Sequence, residues 1–125
     1  MKTRSLWHSF QCAFAGLRDL LADGRNARIH VVVAVTVVAV GAWLGISRTE
    51  WAILALTIGT VLAAEAVNSS IEHLVDLVSP EHHDLAGRAK DCAAAAVLLL
   101  AVAAIISGLL IFGPPFLSAM RNLVS

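Results

Sequence analysis

The sequence predicts an all-α membrane protein: an N-terminal amphipathic surface helix followed by three transmembrane helices. Three observations carry this. Of 125 residues, 58% are hydrophobic and only 14% are charged, with a mean hydropathy of +0.80, whereas soluble domains are about one-quarter charged. Three apolar stretches, Ile29 to Ile46, Trp51 to Val67 and Cys92 to Phe112, match the ~20 helical residues that cross ~30 Å of hydrocarbon. Ahead of them, an amphipathic segment leads directly into the first span.

In chain order, the surface helix is expected over residues 6–22. Leu6, Trp7, Phe10, Phe14, Leu17 and Leu21 recur at steps of three and four, while His8, Gln11, Arg18 and Asp19 fall on the other side. Its polar residues interrupt any signal-peptide core, so cleavage is not expected. The first span, over 29–46, carries no charge, and Trp43 near its end and Trp51 opening the next helix suit an aromatic belt. Ser47 to Glu50 is a short polar turn. The second helix covers 51–77 and the third 90–112, ending before Pro114 and Pro115, which remove backbone donors. The whole chain, 1–125, is then one membrane domain.

Charge excludes further classes. Nine Lys+Arg balance nine Asp+Glu, leaving no basic excess for a phosphodiester backbone, so nucleic acid is not an expected partner. Cys12 and Cys92 form no CxxC pair and are expected as small buried fillers. No glycine-rich phosphate loop is present. Lys2, Arg4, Arg18, Arg25, Arg28, Arg88 and Lys90 fall on one side of the three spans, Arg48 and Arg121 on the other. The positive-inside rule therefore places the N-terminus and the loop from Leu77 to Asp91 in the cytoplasm.

The second helix contradicts its own hydropathy. Glu65, Asn68, Ser69, Glu72 and Asp76 fall within roughly a 100° arc of one helix. Such a stripe is costly, at ~2.5 to 3.5 kcal/mol per central charge on the insertion scale, so Glu65 marks a functional site. Arg88, Lys90 and Asp91 open the third helix at the depth of Glu72 and Asp76, which adds a cation able to pair with phosphate. Adjacent His82 and His83 lack the pattern of a zinc shell. A hard cation is better served, because Mg²⁺ takes one or two protein carboxylates and completes its shell with phosphate and water. Glu72 is the leading ligand.

The run from Glu65 to Asp76, EAVNSSIEHLVD, resembles the signature of the prokaryotic integral-membrane diacylglycerol kinases and related undecaprenol kinases. The run EHHDLAGRAKD, from Glu81 to Asp91, is similar to that family's loop ending in GRAKD, and RNARIH, from Arg25 to His30, is a weaker match. The resemblance implies ATP-dependent phosphorylation of a lipid hydroxyl by a homotrimer in the bacterial inner membrane, with active sites shared between subunits. By position it implies Glu65 as the general base, Glu72 as metal and nucleotide ligand, and Lys90 and Asp91 on the ATP phosphates. Glu81 and His83 would contact the outer part of the nucleotide, and Asn68 and Asp76 would support the site. The family usually carries a second metal-ligating glutamate where this chain has Gly24, and Asp23 is the neighbouring substitute. The lipid stays open: Arg28-Ile29-His30 resembles the undecaprenol branch and GRAKD the diacylglycerol branch. An intramembrane proton or ion pathway loading Glu65 is the alternative function, and it leaves Glu72, Asp76, Lys90 and Asp91 without a role.

Overall fold

A computed structural model describes residues 5–125; Lys2 and Arg4 of the charge count lie outside the described residues. The chain is all-helical, in the order α1 (Leu6–Asp23), α2 (Arg25–Leu44), α3 (Arg48–Val78) and α4 (Asp84–Val124). Among the described residues, α2, α3 and α4 are the three helices long and apolar enough to cross a membrane.

Ser5 caps α1, its side chain accepting from the His8 N–H at 3.2 Å. Only Leu20 of α1 is buried, while Leu6, Trp7, Phe10, Phe14 and Leu17 are exposed. The helix thus touches the bundle near its C-terminal end and presents the rest of its apolar face outward, as expected of a helix lying on a bilayer.

The spans extend beyond their apolar runs, because hydropathy marks the hydrocarbon whereas helical hydrogen bonding continues into the polar flanks. Helix α2 begins at Arg25 and stops at Gly45, whose φ of 66° is the left-handed cap that glycine adopts without penalty. The expected turn at Ser47 to Glu50 is instead the first turn of α3. Ser47 Oγ accepts from the Glu50 N–H, and the Glu50 carboxylate accepts from the Ser47 N–H at 3.0 Å, a reciprocal capping box. Trp51 is half-buried and packs over Gly41, the two helices meeting closely there. Trp43 does face outward.

Helix α4 corrects a second expectation, since it continues through Pro114 and Pro115 to Val124. Proline's fixed φ is helical; what the pair removes are the N–H donors to the carbonyls of Leu110 and Ile111. The helix resumes beyond that local loss. Helix α4 packs mainly on α3, using a stripe that includes Ala93, Ala101, Ala104, Gly108 and Ile111, whereas Ala94, Ala95, Ala96 and Ala103 face outward. The core is small: Ile46, Leu54 and Ile111 cluster with Val37, Leu44, Trp51, Ile58 and Phe112. Cys12 and Cys92 are exposed rather than buried, and unpaired, because each sits on a helix face that the protein does not cover.

Candidate active site

The polar stripe of α3 runs from the interior of the bundle to its surface. Glu65 is 4% exposed, Asn68 and Ser69 are half-buried, and Glu72 and Asp76 are exposed. Sequence reasoning placed these five on one face but assigned no partner to the buried end. That partner is His30 on α2, whose Nε2 stands 3.1 Å from Glu65 Oε1. The approach is at ion-pair distance but lacks aligned hydrogen-bond geometry, and Oε1 is otherwise closed off. Unpaired buried carboxylates are strongly disfavoured, so the imidazole is the feature that makes Glu65 tolerable there.

One turn further, Asn68 Nδ2 donates to Glu72 Oε1 at 3.3 Å. This bond orients the amide and leaves Asn68 Oδ1 buried without a partner. Buried polar atoms are nearly always satisfied, and the bond from Asn68 holds the exposed Glu72 carboxylate, a hard oxygen donor of the kind Mg²⁺ takes. Among the described residues, no three His, Cys, Asp or Glu side chains converge on a metal-sized site. Glu72, oriented by Asn68, therefore fits a Mg²⁺ ion arriving with phosphate oxygens, not one caged by protein alone.

At the surface end, α3 meets α4 through Asp76 and Lys90, with Nζ 2.5 Å from Oδ1. Both side chains are well exposed, so the pair adds little to stability but fixes where the ammonium stands. Its hydrogen bond to Asp76 raises the Lys90 pKa above the ordinary lysine value; desolvation opposes this, and the Asp76 and Glu72 charges reinforce it.

The remaining candidate residues make no hydrogen bond or ion pair to the stripe among the described residues. His83 caps α4, its Nδ1 accepting from the Leu85 N–H at 3.1 Å, and the Glu81 carbonyl accepts from Ser79 Oγ. Glu81, His83 and Asp91 are exposed at the α3–α4 connection and the start of α4, and no hydrogen bond or ion pair among the described residues ties them to the stripe. Asp23, the exposed last residue of α1, likewise makes no hydrogen bond or ion pair to it. Beside it, Gly24 caps α1 and opens α2 at once. A Cβ there would lie 2.5 Å from the Leu20 carbonyl oxygen. The junction thus admits no side chain without a backbone shift.

Between α2, α3 and α4 runs an apolar cavity of about 340 Å³, lined by His30, Val37, Leu54, Val61, Ala104 and Ile111 among others. Glu65 does not line it; His30 does.

Residues 11–112 match the model of a family described as prokaryotic diacylglycerol kinase. The chain is 44% identical over 113 residues to a diacylglycerol kinase of Synechocystis sp., a match covering 90% of this chain and 65% of that protein. It is 42% identical over 106 residues to an undecaprenol kinase of Bacillus subtilis, covering 85% and 86% of the two. With a diacylglycerol kinase of Escherichia coli it shares 33% over 95 residues, 76% and 78% of the two chains. The chain thus spans somewhat under two-thirds of the Synechocystis protein's length and most of the other two.

Proposed function

The chain belongs to the prokaryotic diacylglycerol kinase family, a family of lipid kinases that use ATP, and we propose that it transfers the γ-phosphate of ATP to the hydroxyl of a membrane lipid. The observation that carries this is the continuity of the α3 stripe: a buried carboxylate at one end, an ammonium pinned at the other, and a carboxylate held by an amide between. Phosphoryl transfer asks a protein mainly to position groups and neutralise charge. A proton pathway would need Glu65 alone.

In this assignment Glu65 forms the basic end, toward the lipid hydroxyl. Glu72, oriented by Asn68, holds the Mg²⁺–nucleotide complex, with Asp23 as the candidate second carboxylate. Bound there, Mg²⁺ would neutralise phosphate oxygens. Lys90, positioned by Asp76, pairs with the phosphates beside Asp91, and Glu81 and His83 contact the outer nucleotide. The site works in a homotrimer in the bacterial inner membrane, at the cytoplasmic surface where ATP is available. Seven of the nine basic residues on that side support the orientation.

The acceptor is either diacylglycerol or undecaprenol. Relatives bearing both names match at nearly equal identity, and both lipids present a primary hydroxyl. Purified protein given ATP, Mg²⁺ and each lipid in parallel should release ADP and yield one phosphorylated lipid well ahead of the other. Absence of ADP release with both lipids would count against the kinase itself.

A further inference from the structure

Helix α4 outruns the bundle it belongs to. Ile111 and Phe112 pack with Ile46 and Trp51, at the level where α2 reverses into α3. Ser47, Arg48 and Glu50 at that reversal, with the outward-facing Trp43, put the bilayer surface at the same level. Residues 113–124 continue as helix for about 18 Å beyond it. They stand at the end of the molecule opposite the Asp76–Lys90 pair and outside the residues that match the family model. A helix projecting into water should be polar all round, and this one is not. Phe116, Leu117, Met120, Leu123 and Val124 are exposed, and with Ala119 they occupy roughly 160° of the helix. Ser118, Arg121 and Asn122 share the other side.

Three features say what covers the apolar side. The arc is wider than a coiled-coil seam, and Phe116 to Val124 make only about two and a half turns, too few for a zipper with a second copy. The bilayer surface from which the segment emerges is already adjacent. Arg121 lies next to Leu117 at the edge of the apolar arc, where a guanidinium reaches lipid phosphate while its apolar neighbours sink below. The chain also has a place to turn: Pro114 and Pro115 offer no N–H to the carbonyls of Leu110 and Ile111, and no atom lies near enough to brace Gly113. We propose that Phe116 to Val124 form a second membrane-surface helix, resting its apolar side on the phospholipid headgroup layer opposite the candidate active site, with Gly113 to Pro115 as the joint about which it turns. Neither the surface contact nor the joint depends on the kinase assignment.

The test uses the full-length protein, with Cys12 and Cys92 replaced by serine, in nanodiscs of phosphatidylcholine and phosphatidylglycerol, which leave both membrane faces accessible. A fluorophore is placed on the apolar side through Met120→Cys or Leu123→Cys, and on the polar side through Ser118→Cys or Asn122→Cys; elution volume shows that each labelled variant is folded. Nitroxide carried at the lipid headgroups should quench the apolar-side labels at least about threefold more than the polar-side ones, and aqueous iodide should show the reverse order. Restoring both donors with Pro114→Ala and Pro115→Ala together stiffens the joint, so lipid quenching at Leu123→Cys should fall at least about twofold. Equal iodide quenching around the helix would mean that it stands in water, and apolar-side labels shielded from both quenchers would mean that they pack on a second copy; either overturns the surface contact. Lipid quenching unchanged by the alanine pair overturns the joint.

Discussion

Glu65 stands where a carboxylate costs most, and the side chains around the stripe show how the chain tolerates it. His30 covers one oxygen, and the stripe grows more exposed toward Asp76. Replacing Glu65 by Gln should lower turnover by about 100-fold with ATP affinity nearly intact, read as a kcat change without a KM change. Glu72→Gln should instead raise KM for Mg-ATP, because it removes the carboxylate assigned to the cation. The Lys90 shift gives a prediction with a definite sign. A raised pKa means the ammonium pair with Asp76 contributes fully below the ordinary lysine value of 10.5 and is lost as pH climbs through the higher folded value. Asp76→Asn removes the main cause of that shift, so more Lys90 is a neutral amine at mildly alkaline pH. Acylation of Lys90, followed by mass spectrometry against Lys2 as internal reference, should be faster in the variant; an unchanged rate would contradict the pairing. Glu65, Glu72, Asp76 and Lys90 were legible in the sequence because helical register alone aligns the three carboxylates and charge alone marks the lysine. His30 was not, since one histidine on an apolar helix has no periodic signal and its partner belongs to another helix.

At the scale of elements, the ends of helices carry information that hydropathy lacks. Ser47-Arg48-Thr49-Glu50 looks like a turn because it is polar, yet Ser47 followed three residues later by glutamate is the capping box that starts α3. Pro114 and Pro115 look like a terminus, but a proline pair removes donors without forbidding helical φ, so α4 runs on to Val124. At about 60 Å, α4 is twice the thickness of the hydrocarbon core. The tight reversal at Gly45 should be the most sensitive of these ends. Gly45→Ala places a Cβ at φ 66°, which costs about 1–2 kcal/mol, and Ser47→Ala should cost about 1 kcal/mol through the lost cap. Reversible unfolding in mixed micelles measures both, and a neutral Gly45→Ala would contradict the left-handed cap. Gly24 belongs to the same scale: its packing against Leu20 shapes the α1–α2 junction, which a reader of the sequence sees only as a missing carboxylate.

The whole molecule buries little of itself. Only 11–17% of each span's most apolar window is buried, so lipid or neighbouring chains must cover the rest. Fold class and span number were legible because bilayer thickness sets helix length; the small core was not, because residues facing lipid and residues facing protein are equally apolar. In a protein lacking Cys12 and Cys92, a cysteine at Thr49 should react with an impermeant thiol reagent outside intact cells and one at Ser79 should not. The reverse would place the site away from ATP. Mixing Glu65→Gln with Lys90→Ala protomers should restore activity if a trimer shares its sites across subunit boundaries, whereas failure in intact trimers would assign both residues to one site of one chain. The most direct test of lipid phosphorylation at the α3 stripe follows radiolabelled γ-phosphate from ATP into chloroform-extractable lipid, using purified protein and Mg²⁺. The wild type should transfer label to diacylglycerol or undecaprenol, and Glu65→Gln should lose about 99% of that transfer. Label that never enters lipid with the wild type, or that enters it equally well with Glu65→Gln, would contradict the assignment.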